Sequence, residues 1–330
     1  MSKLNALGIS KYRVIRAHDW MKANDSKMVA LGEYPIFNSF GGDPSKSTWV
    51  AYEGGPWLFG EGGMPLSLII HLCNAASASP WVNIPHTADF HLMQSIINGA
   101  ASLSHNRPIF ELSNEPWNSQ FQQYHWYADK QMDDSEYAAV LRAYCVDVIR
   151  MVERVAGRGM IVLNSQFGNP WTTNYMLERL QMSPYIDAIA VAPYLGQHIE
   201  PNSAETIEQL HEMLMTQLDT QTSQQMADHA AACERYNVQM FAYESGLHLH
   251  GKNPADTELY AEYNRSEYAG ELLAEMFSMW NDAGGGIYLP YSLVGPFSST
   301  FFPHVELQGD SMKQLPKLTS VIKAGQLGLI

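Results

Sequence analysis

Cysteine is scarce in this chain of 330 residues: Cys73, Cys145 and Cys233 are far apart, odd in number and without Cys-x-x-Cys spacing. That excludes a disulfide framework and a closed cysteine zinc site, and the three read as free core thiols. Positive charge is also scarce, with 20 Lys and Arg against 34 Asp and Glu and a net charge of −14. A polyanionic partner needs clustered cations, so nucleic acid and anionic membrane surfaces are excluded as partners. No apolar run approaches the roughly 20 residues that cross a bilayer. The start, MSKLNALGISKYR, lacks the apolar core of a secretory signal. As it stands the chain is expected to be soluble and cytoplasmic, with a longer or secreted parent protein left open. Glycine-rich phosphate loops, a Gly-x-Ser-x-Gly elbow and a His-Glu-x-x-His helix are missing too, so the sequence implies no cofactor and no metal. His86, Asp89 and His91, or His248 and His250, have spacings that could ligate zinc, but they read as solvated loop histidines.

Hydrophobic residues make up 46% of the chain, enough for a sizeable core. They gather in short runs: YRVIRAHDW (12–20), PWVNIPH (80–86), IFELSNE (109–115), MIVLNS (160–165), IDAIAVAPY (186–194), MFAYES (240–245) and GIYLPYS (286–292). Such runs suit parallel strands buried on both faces. Helical patterns at 89–103, 136–155, 209–236 and 267–284 alternate with them, which means βαβ units. Each run carries its Asn, Glu, His, Tyr or Ser at the C-terminal end. That distinguishes a (β/α)8 TIM barrel, whose active face is built there, from a doubly wound sheet.

A barrel needs eight strands, and little chain precedes Tyr12, where LNALGIS reads as the end of a helix. The expected fold is therefore a single (β/α)8-type domain over 1–330 with the first strand missing or replaced. An open barrel would expose two strand edges, which a segment of the 21–66 connection, a neighbouring subunit of a homo-oligomer or a longer parent chain could cover. The 21–66 connection is long for a compact domain and carries Trp49, Tyr52, Trp57 and Phe59, as a lid or groove wall would.

Two carboxylates close buried runs: Glu115 in SNEPW and Glu244 in YES. A carboxylate at such a place must be paired, hydrogen-bonded or used. If the barrel closes, both point into one cleft, as glycoside hydrolysis requires of its acid and its nucleophile. The bland alternatives are that Glu115 caps a helix starting at Pro116 and that Glu244 belongs to a buried ion pair.

SNEPW, followed about 130 residues later by YES, resembles glycoside hydrolase clan A, the (β/α)8-barrel retaining glycosidases. From RVIRAHDWMKAN through PWVNIPHTAD to ELSNEPWNSQF the chain is similar to a narrower group of poorly characterised bacterial clan-A-like proteins. The resemblance implies Glu115 as acid/base and Glu244 as nucleophile. It implies that Asn114 holds the sugar 2-hydroxyl, that Arg16 keeps the nucleophile ionised, that Tyr194 hydrogen-bonds the nucleophile and that His86 touches the sugar. Trp117, Trp171, Trp57 and Tyr291 could stack on sugar faces, the first two best placed because each follows a strand end. The clan's usual tryptophan after the last strand is replaced here by YLPYSLVGP. The expected activity is hydrolysis of β-glycosidic bonds in an oligo- or polysaccharide, with carboxyl groups about 5–5.5 Å apart. The alternative is a non-catalytic carbohydrate-binding or structural barrel derived from a glycosidase.

Overall fold

The computed structural model describes residues 14–26, 49–50, 58–59, 64–155, 159–292 and 316–327. The chain forms two compact units. Of the described residues, the first holds those up to Gln166 together with 171–190 and 232–239; the second holds 167–170, 191–231 and those from Met240 onward.

The strands are β1 (Val14–Arg16), β2 (Trp49–Val50), β3 (Leu58–Phe59), β4 (Ser79–Ile84), β5 (Ile109–Leu112), β6 (Met160–Asn164), β7 (Ala188–Val191), β8 (Tyr194–Leu195), β9 (Gln239–Ala242) and β10 (Gly246–Leu247). The main sheet has the order β1-β4-β5-β6-β7-β9, and its ladders from β1 to β7 are parallel. Beside β9, Ala242 forms a parallel bridge with Tyr288, fixed by Ala242 N to Ile287 O at 2.7 Å and Leu289 N to Ala242 O at 3.1 Å. All the apolar runs read from the sequence thus lie side by side in chain order. Alternating with helices, they form a parallel sheet of the kind that makes up part of a (β/α)8 barrel. The segment LNALGIS, Trp57 and most of the 21–66 connection lie outside the described residues; of that connection, β2 and β3 pair antiparallel.

Register explains what the strand faces do. Trp81 pairs with Arg16 and Ile109, Asn83 with Glu111, Glu111 with Val162, and Asn164 with Ala190. Paired residues of a parallel ladder share a face, so one face carries Arg16, Trp81, Asn83, Glu111 and Asn164. The other carries only Ile15, Val82, Ile84, Phe110, Leu112, Ile161, Leu163 and Ile189 besides Pro80. The runs are therefore apolar on one face and polar at alternate positions on the other.

The helices bury apolar stripes. Leu66–Ala75 buries Leu66, Ile69, Ile70 and Cys73, the i, i+3, i+4, i+7 set of one helical face. Phe90–Leu103 starts at Asp89, whose carboxylate accepts from Leu92 N at 2.8 Å, a cap worth about 1 kcal/mol. The pattern at 209–236 forms a continuous helical stretch, α-helical at Ile207–Gln217 and Ser223–Arg235 and π-helical at Leu218–Thr222 between them. In the second unit, Glu267–Asp282 lies so close to Pro316–Leu327 that a Cβ on Gly270 would sit 3.0 Å from Pro316 O. The three cysteines are buried and free, and burial pushes each thiol up to about 12. Among the described residues no helix is long and apolar enough to cross a membrane. Nor, among them, is any group of three or more His, Cys, Asp or Glu side chains placed to hold a metal ion.

Candidate active site

In the first unit the chain leaves β5 through Ser113, Asn114 and Glu115. Ser113 and Glu115 have φ of 59° and 41°, the left-handed region that costs a non-glycine residue about 1 kcal/mol or more. Ser113 N is held by Ile84 O at 2.7 Å, and Ser113 O accepts from Asn83 Nδ2 at 2.7 Å. Two adjacent strand ends thus fix a strained backbone around Asn114. Such outliers gather where geometry serves a ligand.

Asn114 is buried and its amide is oriented by charge. Its Oδ1 accepts from Arg16 Nη2 at 2.6 Å, and its Nδ2 donates to Asn24 Oδ1 at 2.9 Å. Gln123, also buried, donates to Asn24 Oδ1 at 2.8 Å and to Asn114 O at 2.6 Å, which ties the chain after β1 to the loop after β5. Arg16 makes a forked salt bridge with Glu111: Nε to Oε2 at 2.8 Å and Nη2 to Oε1 at 2.7 Å.

Glu115 is half-buried, and its Oε2 accepts from Asn118 Nδ2 at 2.8 Å while its carbonyl takes Asn118 N at 2.9 Å. Pro116 opens a turn, not a helix; the next helix, Gln122–Ala128, starts after Phe121. The capping alternative for Glu115 is therefore set aside. Trp117, on that turn, has its indole Nε1–H buried without a hydrogen-bond partner among the described residues, an orphan donor two residues from Glu115. His86 is buried at the end of the β4 run, edge-on to Trp126, with Nδ1 3.4 Å from Ser113 Oγ. Burial pushes its imidazole down to about 4, against a smaller opposing pull from the Asp25 carboxylate, so it is neutral near pH 7.

Trp171 is 63% exposed and stacked on Tyr175, ring centroids 5.0 Å apart. Tyr175 is anchored by its hydroxyl to Asp134 Oδ1 at 2.6 Å. Thr172 Oγ1 lies 2.6 Å from Ser165 Oγ and accepts from Gln166 N at 3.1 Å, which pins Trp171 at the carboxyl end of β6.

In the second unit, Glu244 is almost buried, and the Tyr194 hydroxyl donates to its Oε2 at 2.9 Å. β8 and β10 hold this pair: Tyr194 is registered against Gly246, whose φ of 119° lets the chain turn immediately after Glu244. The His248 ring lies 5.5 Å from that of Tyr194. Tyr291 is half-buried, its N donates to Ser245 O at 2.9 Å, and Ser245 Oγ donates to Leu289 O at 2.9 Å.

The structure brings Arg16, Asn114, His86, Glu115 and Trp117 to the carboxyl ends of β1, β4 and β5, and pairs Tyr194 with Glu244. The sequence reading passed over Glu111, Trp81, Asn83, Asn164, Asn24 and Gln123. The signal for four of them was present: W-V-N-I, F-E-L and V-L-N are alternations within runs that were read as apolar throughout.

Fold and strand-end chemistry define a barrel protein of the (β/α)8 class with polar groups and carboxylates at its strand ends. Solved structures it is similar to include glycosidases of the clan A type, the group the sequence resembles. One is the GH51 arabinofuranosidase from Xanthomonas axonopodis pv. citri, at 14% identity and a TM-score of 0.62 over 98% of this chain and 65% of that one. Another is the alpha-L-arabinofuranosidase from Thermotoga maritima, at 12% identity and a TM-score of 0.54 over 98% of this chain and 63% of that one. A third is an endo-beta-1,4-glucanase from Xanthomonas axonopodis pv. citri, at 12% identity and a TM-score of 0.50 over 100% of this chain and 91% of that one. The chain spans a little under two thirds of the length of the two arabinofuranosidases. At these identities the likeness defines the fold. No family model matches the sequence, and no curated protein matches it.

Proposed function

We propose that the protein is a retaining glycoside hydrolase that cleaves β-glycosidic bonds in an oligo- or polysaccharide, its chain acting as one catalytic domain without a cofactor. Glu115 protonates the departing glycosidic oxygen while Glu244 attacks the anomeric carbon, giving a glycosyl-enzyme. Glu115, now a carboxylate, takes a proton from water, whose oxygen displaces Glu244 and leaves the sugar with its original configuration. Tyr194 orients Glu244. Asn114, held by Arg16, holds the 2-hydroxyl, and His86 offers a neutral imidazole to the sugar. Trp117, Trp171 and Tyr291 line the sugar path.

The observation that carries this reading is the build of the Ser113–Glu115 segment. Left-handed backbone at two non-glycine residues is held by strand-end hydrogen bonds, so that an oriented amide and a carboxylate follow each other directly. The test is a screen of aryl β-glycosides and soluble polysaccharides for released phenol and reducing ends, with the first-formed anomer read by NMR. Retention supports the proposal; binding without turnover would replace it with a carbohydrate-binding barrel.

A further inference from the structure

Glu111 is a fully buried carboxylate in the middle of β5, and the proposed reaction does not use it. Both its oxygens are saturated. Oε1 accepts from Arg16 Nη2 at 2.7 Å and from Asn164 Nδ2; Oε2 accepts from Arg16 Nε at 2.8 Å and from Trp81 Nε1 at 2.5 Å. A carboxylate offers about four acceptor sites, so none is left for a proton or a substrate. Glu111 is thereby excluded as an acid, a base or a sugar contact.

Its effect runs through Arg16. The guanidinium is planar, and two of its nitrogens are fixed on Glu111 by the fork, which leaves the second hydrogen of Nη2 aimed at Asn114 Oδ1 at 2.6 Å. A guanidinium only donates, so the Asn114 oxygen must face it and Nδ2 must face away, towards Asn24 Oδ1. One Nδ2 hydrogen of Asn114 is then without a partner among the described residues. An amide freed from Arg16 could flip and present its oxygen instead. Stability alone does not account for this arrangement, because apolar residues of similar volume would fill the same layer at equal or lower free energy.

We propose that Glu111 is a positioning residue: by holding Arg16 it locks the Asn114 side chain with its N–H presented to a substrate hydroxyl oxygen. The inference rests on the reading of Asn114 as the holder of the sugar 2-hydroxyl.

The experiment uses Glu111→Gln, which keeps shape but turns one acceptor into a donor facing two donors. Two readouts are taken. The first is the side-chain amide resonances of Asn114 in protein labelled with ¹⁵N-asparagine, assigned by their loss in Asn114→Asp. The second is kcat/KM for an aryl β-glycoside and for its 2-deoxy counterpart. The expected result is a displaced Asn114 resonance pair and a discrimination between the two substrates reduced about tenfold, nearly all of it lost on the 2-hydroxyl substrate. A merely structural role would lower both substrates by one factor and leave the Asn114 resonances in place, and that result overturns the proposal. If Glu111→Gln does not fold, Trp81→Phe removes one donor from Oε2 and keeps the ion pair. The Asn114 resonances should then move in the same direction by less, and their staying fixed would equally overturn it. A wild type that hydrolyses neither substrate would sink the glycosidase reading, while the resonances would still decide whether Glu111 orients Asn114.

Discussion

The Tyr194 hydroxyl donates to Glu244 Oε2 at 2.9 Å, across a two-residue parallel ladder that registers Tyr194 on Gly246 and Leu195 on Leu247. Short strands just beyond the main sheet therefore fix the direction of one carboxylate. A hydrogen bond to a charged group is worth about 1.5–3 kcal/mol. For Tyr194→Phe we expect kcat to fall about 10- to 100-fold with KM nearly unchanged, and the thermal midpoint to stay close to wild type because Tyr194 is half-buried. Steady-state kinetics on an aryl β-glycoside checks this. A change confined to KM would mean that Tyr194 holds substrate and not the carboxylate.

His86 gives a pH dependence of stability. Its folded-state value of about 4 lies below the ordinary 6.5, because burial disfavours the imidazolium. Between these values the unfolded chain binds a proton that the folded chain does not. Stability therefore falls as pH drops from about 6.5 to 4 and is unaffected by this group above that window. The full separation corresponds to about 3 kcal/mol, and partial solvent screening of the site reduces it to about 2 kcal/mol. His86→Gln should flatten the denaturation midpoint against pH over this window. An unchanged slope in the variant would assign the acid sensitivity elsewhere.

Trp171 is an isolated exposed ring, stiffened by Tyr175, at the carboxyl end of β6. Trp171→Ala should cost about 1 kcal/mol of stability or less, since only the stacking contact is lost. On a soluble polysaccharide KM should rise about five- to tenfold, with kcat/KM on a short aryl glycoside within about twofold of wild type. Equal losses on both substrates would place Trp171 at the reacting sugar instead.

The apolar runs were legible because each is compact and ends in polar residues, and their order in the sheet follows the chain. The polar layer of Arg16, Trp81, Asn83, Glu111 and Asn164 shows in the sequence only as single alternating residues within those runs. Glu111 between Phe110 and Leu112, or Asn83 between Val82 and Ile84, looks like a lone intruder in a buried strand. Only the register Asn83 to Glu111 and Arg16 to Trp81 turns the intruders into one face. Likewise Arg16 could be placed at a strand end by its position in YRVIR, but its fork onto Glu111 spans 95 residues of sequence and no local pattern encodes it. The helical pattern at 209–236 is realised as continuous helix over 207–235, π-helical at Leu218–Thr222, where Leu218 and Thr222 keep the apolar stripe buried.

Backbone strain at Glu115 separates stability from activity. With φ of 41°, Glu115 occupies a region that glycine enters without a Cβ penalty. Glu115→Gly should raise stability by up to about 1 kcal/mol, offset in part by loss of the Asn118 Nδ2 bond to its carboxylate, while turnover falls by orders of magnitude. Chemical denaturation and kinetics on the same preparation test the pair of effects. A clear destabilisation would show that the carboxylate, through Asn118, holds the loop more than the strain disturbs it.

The roles of the two glutamates can be separated by product stereochemistry, which does not depend on how far each rate falls. Glu244→Gly removes the attacking oxygen and opens a small space beside the anomeric carbon, while Glu115 can still protonate a leaving group. Added azide should enter from the side Glu244 occupied, form the C–N bond as the aryl oxygen departs, and give the inverted glycosyl azide. In Glu115→Gly an activated aryl glycoside still forms the glycosyl-enzyme on Glu244. Azide should then displace that carboxylate and give the azide of retained configuration, since two inversions have occurred. NMR of the anomeric proton coupling distinguishes the products. An inverted azide from Glu115→Gly would exchange the two assignments, and wild-type turnover in both variants without added anion would remove both glutamates from the chemistry.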